Sequence, residues 1–136
     1  MTRTQIRYAM KRITARSFDE ADARIRETLK AEGFGVLTEI DVRATMQAKL
    51  GIEIAPYRIL GACNPALALQ ALSAEPDVGL LLPCNIVVRE DHEGRTIIAA
   101  LDPVVQLEIA DNSHLRALAI QVRERLFRAL DQAAAD

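Results

Sequence analysis

The chain has 136 residues, half of them hydrophobic, which suits one ordinary globular domain with its own core. Seventeen Lys and Arg against 19 Asp and Glu give a formal net charge of −2, and aromatic residues make up 4% with no Trp. That balance argues against a general attraction to nucleic acid or anionic membrane, and against base-stacking platforms.

The N-terminal segment, residues 1–14, has no continuous apolar stretch of the signal-peptide kind, and no apolar run approaches a membrane span. A soluble cytoplasmic protein is the expectation. In a reducing compartment its two cysteines are free thiols, ligands or redox groups rather than a permanent staple.

Ile6, Tyr8 and Met10 alternate with polar residues, as in a half-buried strand. Ser17 and Glu20 have the spacing of a capping box. Phe18, Ala21, Ile25 and Leu29 follow at helical spacing, and Gly33 ends that helix. Phe34, Val36, Thr38 and Ile40 alternate as a second strand. Asp41 caps a short helix carrying Val42, Met46 and Leu50 on one face, with Gly51 after it. Tyr57–Cys63 reads as a buried strand. Asn64 and Pro65 are an N-cap and a first-turn proline opening an apolar helix that Pro76 ends.

Gly79–Arg89 is strand-like but interrupted by Pro83, where a bulge or an edge is expected. Asp91-His92-Glu93-Gly94 is a hairpin loop, and Arg95–Leu101 is the returning strand. Asp102-Pro103 repeats the cap-plus-proline signal for a short helix. Asn112 or Ser113 opens the last helix, with Leu115, Leu118, Ala119, Val122, Leu126, Ala129 and Leu130 as its apolar stripe. The element order is β-α-β-α-β-α-β-β-α. Strands joined by helices imply parallel neighbours and the hairpin adds an antiparallel pair, so the expected fold is α+β: a single domain, residues 1–136, with a mixed sheet and packed helices.

Chemistry concentrates in YRILGACNP, Tyr57–Pro65, and EPDVGLLLPCN, Glu75–Asn85, which hold the only two cysteines. Cys63 stands just before a helix start, whose free amides and positive dipole end favour thiolate. Its plain alternative is a small buried residue at a strand end. Cys84 follows Pro83, which removes a backbone donor and can open the ladder; burial is again the alternative. One helix joins the two cysteine strands, so the thiols are expected to approach one another at one end of the sheet, beside a pocket reached by Asn64 and Asn85. Two soft thiolates there suit Cu(I) or zinc, or a reversible disulfide.

The remaining polar residues have structural explanations. Asn64 caps, Asp102 caps, His92 and His114 are solvated, and Arg58 forms an ion pair with a carboxylate such as Glu75. No phosphate loop, G-x-S-x-G or H-E-x-x-H occurs.

GACNP at Gly61–Pro65, EP-x-x-G-LLLPCN at Glu75–Asn85 and DP at Asp102-Pro103 resemble the motifs of the bacterial and archaeal family called domain of unknown function 302, in its cysteine-containing branch. The resemblance runs over most of the chain. It implies a compact α+β domain with a mixed sheet, commonly a dimer, and no particular activity or cofactor.

The leading functional expectation is therefore a small binding protein, a homodimer, with a ligand near Cys63, Asn64, Cys84 and Asn85 or a soft metal on Cys63 and Cys84. The alternatives are a redox enzyme in which Cys63 attacks and Cys84 resolves, and an interaction domain whose cysteines are only core.

Overall fold

A computed structural model describes residues 7–136. The elements follow the sequence signals closely. Strand β1 is Ala9–Thr14 and helix α1 is Phe18–Ala31. Ser17 and Glu20 close both halves of the capping box at the start of α1. Ile6, expected in the first strand, lies outside the described residues, and Tyr8 stands in the turn before β1.

Strand β2 is Gly35–Asp41 and helix α2 is Val42–Leu50, capped by the Asp41 carboxylate and ended by Gly51 at φ 65°. Strand β3 is Tyr57–Cys63. Helix α3 is Pro65–Ala74, its Leu67 N–H donating to Asn64 Oδ1 at 3.2 Å. After β4, Cys84–Glu90, and β5, Thr96–Leu101, come α4, Pro103–Glu108, capped by Asp102, and α5, Ser113–Ala134, capped by Asn112.

The five strands form one sheet in the order β1-β5-β4-β3-β2. The α+β class and the element order are as the sequence implied. The parallel neighbours are not: every pair in the sheet is antiparallel. The reason lies in where each connection begins and ends. Asp41 is registered with Arg58, and Ala62 with Cys84, so each helical connection leaves and rejoins the sheet at the same end. A parallel return past seven-residue β3 would have to travel back roughly 23 Å. The ten residues of α3 span about 15 Å and pack instead against α5 and the segment that follows α3.

That following segment is the second departure. Pro76–Leu81 is a 3-10 helix, and the strand begins only at Cys84. Pro83 therefore precedes β4 and makes no bulge within it; the Leu82–Pro83 peptide is cis. The irregularity falls on β2, where the register shifts between Val36 and Thr38 and leaves Leu37 as the extra residue, 68% exposed.

Two apolar clusters result. The main core lies between one sheet face and helices α1 and α5, with Ile25, Leu29, Leu60, Ile86, Ile98 and Leu126 fully buried. A second cluster joins α3, the 3-10 helix, α4 and α5 through Leu67, Ala71, Val78, Leu107, Leu115 and Leu118. Val122 of α5 packs against both.

Candidate functional site: an apolar cavity at the sheet end

The seam between the two clusters is incompletely filled. A cavity of about 310 Å³ lies there. Phe34, Ala62 and Cys84 reach it from the main core, and Leu67, Ala71, Leu107 and Leu118 from the second cluster. No charged side chain contributes to its wall. The polar groups present are Thr38, Cys63, Asn64 and Gln106, along with the Cys84 thiol.

Backbone pleating explains how the cavity draws on both sides of the sheet. Residues paired across a ladder share a face, and successive residues alternate. Ala62 and Cys84 are paired and face the helices; Thr38 and Gly61 are paired and face away. Thr38, Ala62 and Cys84 all line the cavity, which thus wraps around the end of β3 and β4. Gly61 makes this possible. A Cβ there would run into Thr38 Oγ1 and come within 2.8 Å of Pro83 Cγ. Gly33, at φ 87°, allows a second close approach: a Cβ on it would lie 2.9 Å from Asn64 Nδ2.

The same parity corrects the expected meeting of the two thiols. Cys84 is opposite Ala62, so Cys63, one residue along, projects from the other side of the strand. Both thiols are free, and they are not brought together as a pair. Among the described residues no group of three or more His, Cys, Asp and Glu side chains is placed to hold a metal. Cys63 and Cys84 line the one cavity separately.

Their ionisation also departs from expectation. Burial raises the Cys63 thiol above its ordinary value, so desolvation, not the helix start, sets its direction. Burial pushes the Cys84 thiol up to about 11, with a smaller contribution in the same direction from Cys63. Burial thus works against thiolate at both positions, opposite to the influence expected of the helix start at Cys63.

Of the four residues expected at the site, Cys63, Asn64 and Cys84 line the cavity. Asn85 does not. It is paired with Gly61 on the face away from α1, is exposed, and borders a more open hollow with Leu80, Val105 and Ile109. Arg58 does form ion pairs, but with Asp22 at 3.1 Å and Glu39 at 3.3 Å, and its guanidinium lies over the Phe18 ring. Glu75 is not its partner, because β3 starts at the far end of the sheet from α3. His92 and His114 are exposed, as expected.

The residue that sequence reading missed is Gln106. It is 9% exposed on α4 and lines the cavity. Its Nε2 donates to the Leu81 carbonyl and, at 3.3 Å, to the Pro83 carbonyl, tying α4 to the chain entering β4. Its Oε1 is buried with no hydrogen-bond partner. A lone glutamine in a short helix carries no sequence signal of this kind.

A family model described as domain of unknown function DUF302 matches residues 10–133. Among solved structures, the chain is similar to the crystal structure of an uncharacterized conserved DUF302 protein from Bacillus stearothermophilus. The two are 31% identical with a TM-score of 0.87, over 94% of this chain and 99% of that one. No curated protein matches. With a family model matching its residues 10–133 and a 31% identical solved relative aligned over 94% of its length, the chain belongs to the DUF302 family.

Proposed function

We propose that the domain is a small-molecule-binding protein whose ligand occupies the cavity between the two apolar clusters, against Cys63, Asn64 and Cys84. The observation that carries the reading is the cavity itself: about 310 Å³ of apolar-walled space at the seam of two cores. Ligand sites are typically apolar concavities with a few placed polar groups. The cavity sits at the low end of their usual size range, roughly 300–1,000 Å³. Cytoplasmic residence accords with two free cysteines.

Naphthalene is a suitable first probe, since a cavity of ~150 Å³ already holds benzene. It should raise the unfolding temperature in proportion to its saturation of the native state. Ala68→Phe, placing a ring into the cavity from α3, should abolish that rise while leaving the fold intact. No stabilisation of the wild type at saturating naphthalene, or equal stabilisation of the variant, contradicts the reading.

A second feature supports self-association into a homodimer. The sheet face turned from α1 and α5 carries a cross-strand apolar row, Ile40, Ile59, Val87 and Ala99, with Ile40 49% exposed. Sedimentation at micromolar concentration should give a species of twice 15.0 kDa, and Val87→Glu should convert it to monomer. A wild type that sediments as monomer rejects the dimer.

A further inference from the structure

We infer that the cavity takes a medium-chain carboxylate, whose alkyl chain fills the apolar space while its head is held at the opening by Arg125 and Asn64. The inference rests on the cavity being a binding site.

The opening lies between β2 and α3. Leu37 of β2 and Leu72 of α3 both line the cavity, and both are exposed. No lysine, arginine, aspartate, glutamate or histidine lines the space. A charged group deep within it would be desolvated and unpaired; an alkyl chain meets no such cost. A cavity of ~150 Å³ holds the ring of benzene. At about 310 Å³ this one takes roughly ten to twelve carbons on the same scale. A chain of that length carries its charged head at the opening.

Gly33 leads into β2 and Asn64 into α3, and two donors converge there. Asn64 Nδ2 and Arg125 Nη1 lie 2.9 and 3.4 Å from the place a Gly33 Cβ would take. Asn64 Oδ1 accepts the Leu67 N–H, which fixes the amide and leaves Nδ2 as its other end. Asn64 lines the cavity, and so does Val122, one turn along α5 from Arg125. Arg125 is half-buried. The other arginines of α5 meet carboxylates: Arg116 with Asp111, Arg123 with Asp102, and Arg128 with Glu32. Arg125 meets none among the described residues, and its Nη1 donates to the Glu32 carbonyl. The Glu32 carboxylate is already neutralised by Arg128. A guanidinium has five N–H donors in a planar fork that matches a carboxylate. A ligand carboxylate beside Gly33 accepts from that fork and from Asn64 Nδ2, and its chain passes Phe34, the next residue, into the cavity.

The test titrates decanoate, decanol, decylammonium and hexanoate into the wild type, Arg125→Gln, Arg125→Lys and Ala68→Phe. The wild type should bind decanoate about tenfold more tightly than decanol, and decylammonium most weakly. Hexanoate should bind on the order of a hundredfold more weakly than decanoate, from about fourfold per methylene. Arg125→Gln should lose the preference for decanoate and keep its affinity for decanol; Arg125→Lys should retain part of the preference. Ala68→Phe should lose both ligands. Equal affinity for decanoate and decanol in the wild type overturns the inference, and needs no variant. So does a decanoate preference that survives Arg125→Gln, or equal binding of hexanoate and decanoate. Decanol or naphthalene binding without a carboxylate preference overturns this inference alone. Failure of every probe overturns the binding-site reading with it.

Discussion

Gly61→Ala is the substitution whose cost the structure fixes most tightly. Gly61 lies buried in the middle of β3, with ladders to β2 on one side and β4 on the other, so the backbone has little room to retreat. The added Cβ meets Thr38 Oγ1 and, at 2.8 Å, Pro83 Cγ. The threonine hydroxyl can rotate aside at an off-rotamer cost of about 0.5–1.5 kcal/mol; the proline ring cannot. Overpacking of this kind costs about 1–3 kcal/mol, and with one yielding and one rigid neighbour we expect about 2 kcal/mol. In urea the midpoint should fall at unchanged slope. Thr38→Ala alone, on an exposed edge strand, should stay within about 0.5 kcal/mol of wild type. Combined with Gly61→Ala it should recover about 1 kcal/mol, a coupling measurable in a double-mutant cycle. A Gly61→Ala protein as stable as wild type, or additive effects in the cycle, would refute the close-packed account of this sheet end.

Three further outcomes follow from the same geometry. Half-exposed Cys63 should react with an aromatic disulfide well before Cys84, which is 9% exposed and should need unfolding; equal native rates contradict the assigned burial. Cys84 has a folded pKa of about 11 against an ordinary 9.0. The folded state therefore holds its proton more tightly, so its contribution to stability is full below pH 9 and is lost as pH rises toward 11. Relative to Cys84→Val, wild-type stability should fall across that window, and parallel curves would reject the shift. Ser17→Ala removes the cap that accepts from Glu20 N–H at 3.2 Å and half of the capping box. It should cost about 1 kcal/mol, checked by thermal unfolding, whereas a change under ~0.3 kcal/mol would deny the cap its role.

Local signals in the sequence carried most of the fold, because each is enforced within a few residues. Ser17, Asp41, Asn64, Asp102 and Asn112 all cap the helices that follow them. Gly33 and Gly51 end theirs at positive φ. What failed was non-local. Strand direction depends on which sheet end each connection returns to, and helix-joined strands look the same in sequence whether the return is a crossover or a loop. Pro76 looked like a stop and became the first residue of a 3-10 helix, which pushed the strand start from Gly79 to Cys84. The cysteine motifs did locate the cavity, since Cys63, Asn64 and Cys84 all line it. Whether the thiols meet was a question of parity. That depends on register, and register was set by the Ala62–Cys84 pairing that no local pattern encodes. Gln106 was invisible for the same reason: its partners, Leu81 and Pro83, lie more than twenty residues away.

The central claim, that the cavity is a ligand site, is tested most directly by methyl-resolved NMR during a naphthalene titration. Saturable shifts are expected at Leu67, Ala71, Leu118 and Val122 around the cavity, with Ile40 and Val87 on the far sheet face unmoved. Saturable shifts at Ile40 and Val87 with the cavity methyls silent, or no saturable shift anywhere, would contradict it.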